Sequence, residues 1–298
     1  MELPRAVQNG IDRIGATAGR LLFGHDACAP DTGTDRRFGP DSVVWRLHAD
    51  ASMLVAGLRT VLVQTLHPLV MAGVADHSDF RRDPWGRLQR TIDFVDAVTY
   101  GSTAESDAAF ARVRTVHRSI RGVAPDGRTY DANDPQLVAW VHAVLVDSAL
   151  LAYERFGPAR LAPTDADRYV AEMAVVAERL GSAYVPRDAR GLRAWIDGVE
   201  ALTVGPDTRA AAYYLLARAP VPFYARGAYM TLSAAAVSLL PGWVRWRLAL
   251  PALPLAEPLI VWPATRLTLA VGNRVLPPSP CRAAAEANLA RDGAPTLR

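Results

Sequence analysis

The chain has 298 residues, half of them hydrophobic, which is enough to bury the core of one large helical domain or of two closely packed ones. Its 33 basic residues are all arginine, they are scattered among 30 acidic residues, and the net charge is +3. No dense basic stripe is present, which argues against a nucleic-acid partner.

The ends of the chain and its cysteines favour a cytoplasmic protein. Residues 1–15 lack the apolar core of a signal peptide. Cys28 and Cys281 are too few for a zinc site or a disulfide framework, and they suit a reducing compartment. The longest uncharged stretch, 227–244, falls short of the ~20 mainly apolar residues of a membrane span. It is expected either to be buried or to lie at a membrane surface, and burial is favoured.

Helical periodicity predicts an all-α protein, and no alternating run predicts a β-sheet. Ser42 supplies cap chemistry for the first helix, and a break is expected at His67-Pro68 because proline disfavours helix in the residue before it. We predict an N-terminal arm over 1–40, a helical domain over 41–276 and a polar tail over 277–298. The predicted helices cover approximately 43–66, 84–100, 104–121, 135–156, 164–180, 192–202, 208–219, 226–240, 243–250 and 257–275.

The spacing of the histidines excludes the simplest metal sites. None of the six has an acidic residue three or four positions away, which removes the Glu-x-x-His di-iron and His-Glu-x-x-His zinc patterns. Glycine-rich nucleotide loops and the G-x-S-x-G elbow of α/β-hydrolases do not occur in the sequence either.

Two histidines are predicted to face the apolar side of their helices. His117 shares a face with Phe110, Val113 and Ile120, and His142 lies in a stripe with Val138, Val141, Leu145 and Ala149. An inward imidazole is either a core side chain bonded to a backbone carbonyl or an axial ligand of haem iron. The second role needs a neutral imidazole in an apolar pocket, and the spacing leaves both roles open.

A third set of residues lies on the helix predicted over 84–100. Arg87 and Thr91 share a face with two apolar residues, and Arg90 lies beside them. An arginine on the apolar side of a helix needs an anion, because an unpaired buried charge is very costly. That anion is either a haem propionate, which guanidinium binds in bidentate fashion, or a nearby carboxylate such as Asp83 or Asp50.

These residues belong to segments that closely resemble a bacterial oxygenase family. That family includes the MpaB-type oxygenase of fungal mycophenolic acid biosynthesis and, more remotely, the latex-clearing rubber oxygenases. The likeness covers about residues 41–245, and its motifs are WRLHADASMLVAGLRTVLVQTL, HPLVMAGVADHSDFRRDPWGRLQRT, VHRSIRG and YDANDPQLVAWVHAVLVDSALLAYERF.

The resemblance implies a globin-like, all-α fold around haem b, with His117 as the axial iron ligand and Arg87 and Thr91 supporting the haem. The better-studied members cleave carbon–carbon double bonds with O2. We therefore predict a haem b-dependent oxygenase that acts on an apolar small molecule with O2, and we assign His142 as a further cofactor-binding residue.

Two departures from the family leave an alternative open. Arg90 replaces a lysine; guanidinium is a poor iron ligand but can hydrogen-bond to bound oxygen, so Arg90 is the predicted catalytic residue. The family's glutamate base has no counterpart, since no Glu lies between residues 3 and 104. The alternative is a non-catalytic haem- or lipid-binding helical protein, for which the Trp- and Arg-bearing segment 241–262 predicts a peripheral membrane contact.

Overall fold

The computed structural model describes residues 15–17, 19, 35–78 and 82–291, and most of them are helical. The predicted all-α class is confirmed. The expectation of no β-structure was wrong at one place, where β1 (Arg121–Val123) and β2 (Thr129–Asp131) form an antiparallel hairpin. Strands of three residues are too short to show an alternating pattern, and Gly127, at a positive φ of 85°, lies in the turn that joins them.

The helices of the described residues include all ten predicted segments, the first of them divided in two, and two that were not predicted, over 68–77 and 280–291. They are α1 (Val43–His48), α2 (Met53–Gln64), α3 (Pro68–His77), α4 (Pro84–Tyr100), α5 (Thr103–His117), α6 (Pro135–Phe156), α7 (Pro163–Leu180), α8 (Ala189–Asp197), α9 (Pro206–Tyr213), α10 (Arg226–Ser238), α11 (Gly242–Arg247), α12 (Trp262–Val275) and α13 (Pro280–Arg291). Two π-helical turns, Tyr214–Arg218 and Glu257–Val261, and one 3-10 turn, Phe223–Ala225, interrupt the second half.

Local capping chemistry explains several of these boundaries. The Ser42 hydroxyl accepts the Trp45 N–H at 3.1 Å, and the predicted break falls between α2 and α3 at His67. One long predicted helix is in fact two, because the Asp50 carboxylate accepts the Ser52 N–H at 2.8 Å and holds a turn between α1 and α2.

The chain divides into two compact units. Unit 1 comprises Met1–Ala49, Asp79–Arg112 and Ala270–Arg298, and unit 2 comprises Asp50–Ser78 and Val113–Leu269. Arg87, Arg90 and Thr91 therefore belong to unit 1, whereas His117 and His142 belong to unit 2.

Unit 1 is organised around α4, which packs against α1 and α13. The buried carboxylate of Asp96 accepts hydrogen bonds from the Ser279 hydroxyl and from the Cys281 N–H, the latter at 3.1 Å, and so caps α13. Much of the predicted polar tail is therefore a packed helix. Cys281 is buried and disulfide-bonded, contrary to the expectation of two separate thiols; Cys28 lies outside the described residues.

Unit 2 is built on the packing of α2 against α6. Leu62 and Leu66 of α2 and its C-terminal turn pack in one buried cluster with Trp140 and Val144 of α6. By length and composition, α6 is the one described α-helix that could cross a membrane without a bend, but 78% of its most apolar window is buried inside the protein. Burial of that extent is typical of a core helix.

A buried ion pair lies where these two helices meet. The guanidinium of Arg59 is 2.8 Å from the Asp147 carboxylate, and their side chains are 4% and 7% exposed. Arg59 also donates to the Ser148 hydroxyl at 2.7 Å and to the Leu239 carbonyl at 3.0 Å. These bonds connect α2, α6 and the end of α10 through one side chain.

Removal of one partner of this pair should destabilise the protein strongly. Arg59→Met leaves the buried Asp147 carboxylate with only the longer contact of 3.9 Å to the half-exposed Arg193, so the free energy of unfolding in urea should fall by about 3–5 kcal/mol. The exposed pair Arg168–Glu172 is the control, and Arg168→Gln should cost less than about 1 kcal/mol. Equal losses in the two variants would contradict a special role for the buried pair.

Candidate functional site

His117 is the last residue of α5 and is half-buried. The predicted face is confirmed: Phe110 is buried and Val113 half-buried, whereas Arg112 and Arg114 are exposed. Burial lowers the pKa of His117, and a hydrogen bond to the backbone of Ala132 and the charge of Asp131 oppose this only in part. The ring is thus neutral at pH 7, and one of its two nitrogens is bonded to the backbone of Ala132, the residue that follows β2.

His142 lies in the middle of α6 and is 9% exposed. Burial lowers its pKa to about 4. No hydrogen bond joins its ring to another residue of the described ranges. The expected core role, an imidazole bonded to a backbone carbonyl, is therefore not what α6 shows. The neutral ring has one N–H and one nitrogen lone pair, and neither is hydrogen-bonded to a described residue.

His67 was not among the predicted site residues, although it lies at the predicted helix break. It occupies the N-cap position of α3, but its side chain makes no cap hydrogen bond. Its Nδ1 is fully buried without a hydrogen-bond partner in the described chain, and its ring lies 6.1 Å from that of Trp140. Burial and the charge of Arg128 lower its pKa, with Asp134 opposing. The sequence feature that could have pointed to His67 was the His-Pro pair at the helix break.

The three predicted residues of unit 1 lie on the first half of α4. Arg87 is half-buried, and burial together with the charge of Arg90 lowers its pKa. The Thr91 hydroxyl donates to the Arg87 carbonyl at 3.1 Å, which brings these two residues together on one face. Arg90 is 68% exposed and pairs with Asp83 at 3.3 Å. Asp83, one of the two carboxylates expected to neutralise an arginine of this helix, is therefore the partner of Arg90.

A hydrogen-bonded trio lies beside the hairpin. The Tyr130 hydroxyl donates to Asp76 at 2.5 Å, and the His77 Nε2 lies 3.1 Å from the same hydroxyl. Burial and Asp76 raise the pKa of Tyr130 to about 12, so the phenol stays protonated. Gly122 is required here, because a Cβ at that position would come within 2.5 Å of the hydroxyl.

Unit 2 also contains two cavities, of about 320 and 690 Å³. The smaller is lined by apolar side chains, among them Val199, Leu202 and Trp243, and by the polar side chains of Asp197, Thr203 and Arg247. Charged side chains, among them Arg160 and Arg190, line the larger one. Neither of the two is lined by a histidine.

The histidines of unit 2 are not part of a metal-binding cluster in the described part of the chain. Among the residues that the structure describes, no three His, Cys, Asp or Glu side chains are grouped closely enough to hold an ion. Haem iron needs only one or two protein ligands, because the porphyrin supplies the other four. A single neutral imidazole such as His117 or His142 meets that need.

The catalytic domain of the family described as ER-bound oxygenase mpaB/B′/Rubber oxygenase matches residues 45–273, about three-quarters of the chain. The chain belongs to this family. The resemblance inferred from the motifs is thereby confirmed, and it makes an oxygenase the supported reading. No curated protein and no solved structure matches the chain significantly.

Within this mpaB/rubber oxygenase domain, all five predicted site residues fall inside the matched range. The match shows the family and supports oxygenase chemistry. The haem, the substrate and the individual roles of Arg87, Arg90, Thr91, His117 and His142 stay predictions.

The stability of this family member should fall in mild acid because His142 is buried as the neutral form. Above pH 6.5, the ordinary pKa of histidine, burial of the neutral ring does not lower the free energy of unfolding. As the pH falls from there towards 4, the free energy of unfolding falls by about 1.4 kcal/mol per pH unit, because the unfolded chain binds a proton that the folded chain does not. Unfolding in urea at a series of pH values should show a shallower slope for His142→Leu. His48→Leu should remove a separate share, since burial lowers the pKa of His48 to about 4 as well. An unchanged slope in His142→Leu would contradict the burial of a neutral ring.

Proposed function

We propose that this protein is a haem b-dependent oxygenase that acts on an apolar small molecule with O2. The observation that carries the proposal is His117, a neutral imidazole with one nitrogen bonded to the backbone of Ala132. Ligating histidines commonly use their second nitrogen in this way, because the bond fixes the tautomer and the ring orientation. Membership of an oxygenase family supports the same conclusion.

In this proposal His117 ligates the iron, and bound haem supplies the activation of O2. The Ala132 backbone orients the ring, and the half-buried setting keeps it deprotonated. His142 is assigned as a second cofactor-binding residue, because a neutral ring without a hydrogen-bond partner among the described residues is suited to contact a ligand. The predicted roles of Arg87 and Thr91 in holding a propionate are separate proposals about unit 1.

A second candidate is a haem- or lipid-binding protein without turnover. Arg90, the predicted catalytic residue, is exposed and already paired with Asp83. The cavity lined by Val199, Leu202 and Trp243, with Arg247 among its polar residues, is suited to a lipid-like ligand with a polar head. The pairing of Arg90 is the observation that favours binding without chemistry.

Haem binding can be tested by absorption spectroscopy. Purified protein reconstituted with haem should bind one haem per chain and show a Soret band. His117→Ala should lose or shift that band, and added imidazole should restore it by taking the vacated ligand position. The exposed His77 of the same unit is the matched control, and His77→Ala should keep the spectrum.

Two results would contradict this assignment. A natively folded wild-type chain that fails to take up haem overturns the proposed function. Loss of the Soret band in His142→Ala with an unchanged spectrum in His117→Ala overturns only the choice of ligand.

Turnover can be tested with an oxygen electrode. The haem-loaded protein should consume O2 in the presence of apolar alkenes or terpenoids, and Arg90→Gln should slow this about 100-fold, as loss of one charged hydrogen-bond donor commonly does. Arg82→Gln, a nearby exposed arginine, is the control. Absence of O2 consumption with an intact spectrum would select the non-catalytic candidate.

A further inference from the structure

Unit 2 carries an exposed apolar surface on its C-terminal half. Six side chains define it, here called the apolar surface, and each is at least 68% exposed: Phe223, Met230, Trp246, Leu255, Leu259 and Leu267. Isolated exposed apolar residues are ordinary, but a group of large ones marks a contact with another molecule or with a membrane.

Direct contacts join the elements that carry these side chains. The start of α10 packs against the 3-10 turn, and α10 also packs against the π-helical turn Glu257–Val261. The Arg245 guanidinium donates to the Pro251 carbonyl at 2.6 Å and to the Glu257 carboxylate, which ties α11 to the following loop and to that turn. The Trp262 indole N–H donates to the Ser238 hydroxyl at 3.4 Å, which links α12 to the end of α10.

Helical spacing gathers the side chains into stripes. Leu259 and Leu267 are eight residues apart with exposed Pro263 midway, which is i, i+4, i+8 spacing on one face. On α10, exposed Arg226 and Met230 are four residues apart, while Leu232 and Ala236 are buried. The segment 259–267 therefore presents an apolar stripe outward, and α10 presents Met230 next to the cationic Arg226.

The charge of this part of the chain is strongly one-sided. Residues 208–269 contain six arginines and one acidic residue, Glu257, a net charge of +5, whereas the whole chain carries +3. That one acid is already paired with the buried Arg245. Exposed Arg226 and Arg247 lie among the apolar side chains, and the Arg247 guanidinium is 5.7 Å from the Trp246 ring centre.

We propose that the apolar surface docks unit 2 onto an anionic lipid bilayer. Large apolar and tryptophan side chains enter the boundary between headgroups and acyl chains, and arginines bind the lipid phosphates around them. A second copy of the chain is a poorer occupant, because an isologous contact would bring two surfaces of the same positive charge together. The bilayer supplies the opposite charge.

Vesicle flotation tests the proposal with the full chain and without haem. Wild-type protein should float with phosphatidylcholine vesicles that contain phosphatidylglycerol, and it should float less as salt is raised or when phosphatidylglycerol is omitted. Trp246→Ser/Leu259→Ser should lower the bound fraction at least about tenfold, and Arg226→Gln/Arg247→Gln by about tenfold. The matched control is Val123→Ser/Tyr184→Ser, two exposed apolar residues outside the surface, which should bind as wild type.

Circular dichroism and the thermal midpoint confirm that each variant is folded. Failure of the wild type to float, or equal losses in control and surface variants, would overturn the proposal. So would a wild-type dimer in size-exclusion chromatography that Trp246→Ser/Leu259→Ser converts to monomer, because the surface would then be an interface between two copies. None of these outcomes bears on haem binding.

Discussion

The ion pair of Arg59 and Asp147 constrains everything else in unit 2. A buried charge pair is tolerated only where its donors and acceptors find further partners, and here these are Ser148 and the Leu239 carbonyl for Arg59 and Arg193 for Asp147. The pair therefore sets the register of α2 against α6. The rotation of α6 places His142 inside the protein, and the end of α2 leads directly to His67.

The same low-dielectric interior that makes this ion pair costly also determines the protonation of the histidines. Arg59 keeps its charge because Asp147 lies beside it. His142 has no such partner and is neutral, and His117 is kept neutral although Asp131 lies near. A neutral imidazole is the form that binds iron. The proposed docking of the apolar surface on a bilayer agrees with the proposed substrate class, since apolar small molecules concentrate in bilayers.

Much of the helix order follows from the sequence because helix boundaries depend on short-range chemistry. Pro84 and Gly101 bound α4, and Asp134 caps α6 by accepting the N–H of Gln136, so these two helices agree with the predicted limits. The π-helical turns, the hairpin and the break held by Asp50 were missed, because each depends on a single turn rather than on a repeating pattern.

The sequence by itself determined the all-α class, the family and the faces on which His117 and His142 lie, since these depend on periodicity and on motifs. Only the tertiary structure decided what surrounds each side chain. It paired Arg90 with Asp83 and buried Nδ1 of His67 where no described residue bonds to it. It also exposed Trp246 and Leu259 while burying residues of equal hydrophobicity nearby. The physical reason is that pairing and burial depend on residues far apart in the chain, which only the packed helices bring together.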